Sequence, residues 1–132
     1  MATDLWMNLP VQNVEKSKAF FTKIGFPAKT IGDGVQVVVG AQGTKVMLFP
    51  ASKFETFTHH RVADSMKGTE VLFSIGAEDR EEVDEMIENV EKAGGEIYAK
   101  PGLTDGWLYG AGFIDLDGHR WNVLYMDMEK MP

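Results

Sequence analysis

A chain of 132 residues with 44% hydrophobic and 25% charged residues has the composition of one ordinary globular domain, and at that length folding buries roughly two-thirds of the chain's surface. The net charge of -7, with Lys and Arg scattered rather than gathered into a stripe, excludes a phosphate backbone as the expected partner, so no nucleic acid is predicted. Without cysteine there is no disulfide, thiolate metal site or thiol nucleophile, and any chemistry falls to carboxylates, His, Tyr or a bound ion.

No run approaches the ~20 apolar residues that span a bilayer, so no membrane association is expected. Met1 to Pro10 has neither the basic start nor the apolar run of a signal peptide, and the expected location is the cytoplasm.

Leu5 to Val11 reads as a strand, and Asn13 after it suits a helix N-cap. Val14, Phe20, Phe21 and Ile24 then fall on one side of a helix over 14–24, which Gly25 ends. Three short strands follow, around 27–31, 35–39 and 45–49, punctuated by glycines, with Gly32-Asp33-Gly34 a turn rather than a dinucleotide fingerprint. Residues 51–68 carry no sustained period and read as a long connection with at most a helical turn.

The pattern then begins again. Val71, Phe73 and Ile75 alternate with Glu70, Leu72 and Ser74 as a strand that Glu70 starts. Val83, Met86, Ile87 and Val90 form a narrow apolar stripe on an acidic helix that Gly94-Gly95 stops. Strands over 96–99, 108–115 and 120–127 complete the half, the last two joined by the Asp117-Gly118 turn. The order βαβββ thus occurs twice, about 65 to 75 residues apart, which makes an internal structural repeat. The expected domain is the whole chain, 1–132, with module one at about 4–50, a connection at 51–68 and module two at about 69–127. Neither half has enough core to be expected to fold alone.

These features resemble the vicinal-oxygen-chelate superfamily, which includes glyoxalases, bleomycin resistance proteins and extradiol dioxygenases. The run Asn8 to Phe21 is similar to that family's opening strand and helix, with its Ser and paired aromatics. Ala93-Gly94-Gly95 and the run Phe113 to Asn122 are similar to its second helix end and last hairpin. The resemblance implies an α+β fold of two βαβββ modules around a concave mixed-sheet cavity, a small-molecule ligand and a homodimer. It also implies metal-ligand positions, which fall here on Trp6, Met47, Glu70 and Asn122. Only Glu70 is a good ligand, and a Lewis-acid ion needs about three protein donors with one open position, so no metal or other cofactor is expected.

On the expected concave face, Glu70 is a candidate base. Asn8 and Asn122 offer amide donors and acceptors to a ligand, and Trp6 and Met47 offer an apolar floor. Trp107 and Tyr109, after a Gly-rich loop, are placed to close over a ligand or to serve a dimer interface. His59 and His60 are adjacent and diverge, and His119 follows a turn, so none is expected to chelate. The acidic run from Glu78 to Glu96 is the wet face of a helix. Two functions follow: a metal-independent small-molecule-binding protein, or a glyoxalase-like lyase or isomerase with a non-standard metal set or with Glu70 as a metal-free base. The P-loop, zinc-protease and Ser-hydrolase signatures are absent.

Overall fold

Asn13 and Asp79 each turn a strand into a helix by the same device. In the computed structural model, which describes residues 1–132, the Asn13 side chain accepts the Lys16 N–H at 3.0 Å and the Asp79 side chain accepts the Glu82 N–H at 2.8 Å. Each satisfies an N–H that the first helical turn leaves without a partner. The chain divides into two compact units, Met1–Asp64 and Ser65–Pro132.

The first unit contains β1 (Met7–Val11), α1 (Val14–Lys23), β2 (Ala28–Ile31), β3 (Gly34–Val39), β4 (Thr44–Pro50) and α2 (Ala51–Thr58). Its sheet has the order β1-β4-β3-β2, with β1 parallel to β4 and the other pairs antiparallel. Alternation sends Leu9, Val11, Val35, Val37, Val46 and Leu48 into the core, where Phe20 and Phe21 of α1 are also buried. Those two rings meet edge to face at 5.1 Å. Gly25 follows α1 at φ +110°, a conformation that a side chain resists, so the helix ends there.

The second unit contains β5 (Leu72–Gly76), α3 (Arg80–Lys92), β6 (Glu96–Thr104), β7 (Leu108–Ile114) and β8 (Arg120–Met126). The sheet order is β5-β8-β7-β6, again with the first pair parallel. The apolar stripe expected on α3 is the face it buries, through Val83, Met86, Ile87 and Val90. It lies against β6, β7 and β8, where Phe113 and Trp121 stack with planes 2° apart. The two units are therefore α+β modules of one design, as the repeated βαβββ pattern predicts.

Three elements differ from the sequence expectation. The connection after β4 is an eight-residue helix, α2. Its apolar side is only two phenylalanines, Phe54 and Phe57, too short a stripe to stand out. Phe57 packs edge to face on Phe49 at 5.0 Å, and His59 closes the helix in the left-handed conformation at φ 56°.

β5 begins at Leu72 rather than Glu70. Its parallel partner β8 begins at Arg120, the register mate of Leu72, because the chain before it is turning through Asp115 to His119. Glu70 and Val71 have no pairing opposite them in that sheet, and Val71, expected to face the helix, is 52% exposed. β6 runs on to Thr104 instead of ending at Ala99. Two register shifts, between Ile97 and Ala99 and between Ala99 and Gly102, let it continue along β7, and its edge position tolerates Pro101. No helix is long and apolar enough to cross a membrane.

Candidate functional site

Each sheet has one face covered by its helix and one face turned away from it. In the first unit the face away from α1, which α2 meets at its Phe49 end, carries one row across all four strands: Asn8, Met47, Gln36 and Lys29 are successive register partners. Asn8 and Met47, both singled out in the sequence, are thus direct neighbours. Asn8 is exposed and Met47 half-buried. Trp6 precedes β1 and is 52% exposed.

In the second unit the equivalent row is Ser74, Asn122, Gly112 and Ala99. Here the uncovered face is concave. A cavity of about 200 Å³ is lined by Tyr98, Thr104, Gly110, Gly112, Asn122 and Leu124 among others. β7 presents glycine at both Gly110 and Gly112, which lets the Leu124 side chain and the Tyr98 ring lie against the strand and form the cavity wall. A Cβ on Gly110 would meet the Leu124 side chain at 2.5 Å, and one on Gly112 would strike the Tyr98 ring. Tyr98 is brought over Gly112 from the irregular stretch of β6, and the Arg120 guanidinium lies 4.9 Å from its ring centroid.

Asn122 contributes the one polar feature that the protein does not complete. Its Oδ1 is buried and has no hydrogen-bond partner. A buried acceptor left in that state costs about 1–3 kcal/mol, and native proteins retain few of them.

Glu70 is exposed and lies before β5. Trp107 is half-buried in the turn between β6 and β7, and its carbonyl accepts the Asp127 N–H at 2.8 Å. Tyr109 belongs to the face opposite Gly110 and Gly112, together with Ala111 and Phe113. Its hydroxyl donates to Asp84 of α3 at 2.6 Å and Arg80 lies over its ring at 5.1 Å. That hydrogen bond, chiefly, then desolvation and the Asp84 charge hold the Tyr109 pKa above its ordinary 10.0, against the pull of Arg80. A position beyond the Gly-rich loop suggests a cavity mouth, but strand parity ties Tyr109 to the helix.

Sequence reasoning passed over Tyr98, Gly110, Gly112 and Leu124. The pair Gly110 and Gly112, two apart in a strand, was the available signal, since it leaves one face of the strand bare. It also passed over Asp115, buried at the start of the β7–β8 turn. One Asp115 oxygen accepts the N–H groups of Asp117 and His119 at 2.9 and 3.0 Å, and the other accepts the Trp121 indole N–H at 3.0 Å. Burial pushes this carboxyl above the usual carboxylate range, against the pull of His119 and those three donors.

The donor set that the resemblance implies for a metal consists of indole, thioether, carboxylate and amide groups, at Trp6, Met47, Glu70 and Asn122. Such a set does not fit a divalent ion that needs imidazole and carboxylate ligands. Within each unit, no group of three or more His, Asp or Glu side chains is arranged to hold one.

Two βαβββ modules, each a mixed four-stranded sheet backed by a helix, define a protein of glyoxalase-like α+β fold. Residues 5–123 match the family model of the Glyoxalase/Bleomycin resistance protein/Dioxygenase superfamily, and the chain belongs to that superfamily. Among solved structures it is similar to a hypothetical protein from S. aureus, with 34% identity, a TM-score of 0.85, and 95% of this chain and 94% of that one covered. It is also similar to a glyoxalase-related enzyme from Fulvimarina pelagi, at 14% identity and a TM-score of 0.80, covering 95% of this chain and 88% of that one. A genomically encoded fosfomycin resistance protein, FosX, from Listeria monocytogenes shares 17% identity at a TM-score of 0.71, with 98% of each chain covered. The last two likenesses carry the fold alone. No curated protein matches the sequence.

Proposed function

We propose that this chain is a small-molecule-binding member of the superfamily that works without the usual metal set. The observation that carries the reading is the concavity of the second unit, whose wall of Gly110, Gly112, Leu124 and the Tyr98 ring is mostly apolar with Asn122 as a placed polar group. Ligand sites have that composition. At about 200 Å³ the hollow is smaller than the roughly 300–1,000 Å³ of a complete ligand pocket, so it suits one ring or short branch of a ligand. The same reading assigns a ligand contact to Asn122 and keeps Trp6, Asn8 and Met47 as candidate contacts of the first unit taken by itself. Trp107 is kept as a further ligand or interface residue, and Tyr109 belongs with it only as the anchor of that strand to α3. The whole chain, 1–132, is taken as one functional domain acting as a cytoplasmic homodimer, a proposal supported by its acidic charge, its lack of cysteine and its exposed aromatics and methionines.

A second reading keeps Glu70 as a base, or as one ligand of a non-standard metal set, in a lyase or isomerase. It draws on the exposure of Glu70 and on a FosX structure described as a complex with Mn(II) and sulfate. Calorimetric titration of EDTA-stripped protein with Mn²⁺, Ni²⁺, Zn²⁺ and Fe²⁺ separates the two, with Glu70→Ala as control. The binding-protein reading expects no tight ion. Tight uptake near one ion per chain, lost in Glu70→Ala, would replace it with the metal-assisted one.

A further inference from the structure

We propose that the second-unit concavity takes a neutral ligand group carrying an O–H or N–H donor, which gives its hydrogen to Asn122 Oδ1. This deepens the small-molecule-binding reading and rests on it, naming the chemistry of the group rather than its presence.

β8 alternates Trp121 and Val123 into the core with Arg120, Asn122 and Leu124 on the uncovered face. An Asn at the middle of that face has β7 on one side, where its register mate is Gly112, and β5 on the other, where it is Ser74. Glycine at 112 supplies no side chain to complete the amide, and the amide oxygen is buried without a partner. What the fold puts over that glycine is the Tyr98 ring, an aromatic wall, and because the oxygen is buried a ligand group reaches it by moving that ring aside.

A carbonyl oxygen only accepts, so the complementary atom must be a donor; an ether, carboxylate or phosphate oxygen would face it lone pair to lone pair. The charge of the donor is set by Arg120. It lies two residues before Asn122 on the same face of the strand and is spent on the Tyr98 ring at 4.9 Å. A fixed guanidinium there opposes a cationic donor such as an ammonium group. Hydroxyl and neutral amide N–H groups remain. The hollow is sized for one ring or short branch, and its wall offers alanine, glycine, leucine and an aromatic face with Thr104 as the other polar side chain beside Asn122, so the group bearing the donor is compact and largely apolar.

Three small aromatic probes of nearly equal size isolate the hydrogen bond: phenol, which has a donor; anisole, which has an acceptor alone; and toluene, which has neither. Titrated at millimolar concentrations into the full-length protein and followed by amide NMR, phenol is expected to shift the Gly110 and Gly112 backbone signals and the Asn122 side-chain signal. Its affinity should exceed that of toluene and anisole by about tenfold, the usual worth of one hydrogen bond to a buried, otherwise unpaired acceptor. In Asn122→Leu, which keeps the branching and heavy-atom count of the side chain and removes the acceptor, phenol should fall to the level of toluene. Equal binding of the three probes, a preference for anisole, phenol shifts that avoid this strand pair, or a phenol preference that survives in Asn122→Leu would overturn the proposal. The three-probe comparison needs no variant, so it decides the matter even if Asn122→Leu does not fold. Failure here is distinct from failure of the parent reading, which is decided by metal uptake.

Discussion

The indole N–H of Trp121 donates to Asp115 Oδ2 at 3.0 Å, so the largest fully buried side chain of the second unit is fixed by a carboxylate that also shapes the adjoining turn. Asp115 is only 7% exposed, and its other oxygen accepts two backbone N–H groups of that turn. Removing the carboxylate leaves three donors without their acceptor. Asp115→Ala should therefore destabilise the protein by about 3 kcal/mol, and Asp115→Asn by about half of that, since one oxygen is retained while an NH₂ faces an N–H. Urea unfolding measures both, and a loss below about 0.5 kcal/mol for Asp115→Ala would show that the turn and indole hold without it.

The same residue gives a pH dependence with a definite sign. Its folded pKa is raised above 3.8, chiefly by burial, so in the interval just above 3.8 the folded state binds more protons than the unfolded state. Stability from this group is fully present below 3.8 and falls as the pH rises through the folded pKa. The stability of the wild type minus that of Asp115→Asn should accordingly be greatest at the acid end and shrink as the pH rises through that interval. If the difference instead grows with pH, the three N–H donors outweigh burial.

What was legible in the sequence follows from which signals are periodic. The α3 stripe at Val83, Met86, Ile87 and Val90, the cap at Asn13 and the doubled βαβββ order rest on repeats of 3.6 and 2 residues, which one chain displays unaided. Where β5 starts depends on its partner, because pairing at Glu70 requires backbone opposite it, and the Asp115 turn removes that backbone. β6 outlasts its apparent end at Ala99 through bulges that no alternation reveals. The side of Tyr109 is legible in its shared parity with Ala111 and Phe113, whereas its place after the Gly-rich loop points the other way. The unpartnered Asn122 oxygen was not readable, because it arises from a glycine on the neighbouring strand.

Tyr109 offers a local test of the β7–α3 contact. Its hydroxyl keeps its proton beyond the ordinary pKa of 10.0 because ionising it would break a hydrogen bond to Asp84 and set two negative charges side by side. In Asp84→Ala the phenol should ionise nearer 10.0, with Arg80 over the ring now favouring the anion. Alkaline tyrosinate absorbance, with Tyr109→Phe subtracted to remove Tyr98 and Tyr125, reads the shift. An unchanged midpoint would mean that the Asp84 bond is not kept in solution.

A site that leaves an acceptor unpaired until a ligand arrives is held at the expense of stability, and Asn122 exposes that cost directly. Asn122→Leu removes a buried oxygen without a partner and keeps the branching and heavy-atom count of the side chain against Gly112 and Leu124. The variant should be more stable than the wild type by about 1 kcal/mol in urea unfolding without ligand, the lower end of what an unsatisfied buried acceptor costs. Asn122→Ala, which removes the acceptor but leaves a void, should gain less or lose stability and so separates desolvation from packing. A loss of 1 kcal/mol or more in Asn122→Leu would mean that the amide is satisfied within the folded chain, and the residue would then be structural. A gain would mark Asn122 as a position kept polar against the interest of the fold, which is the thermodynamic signature expected of a ligand contact.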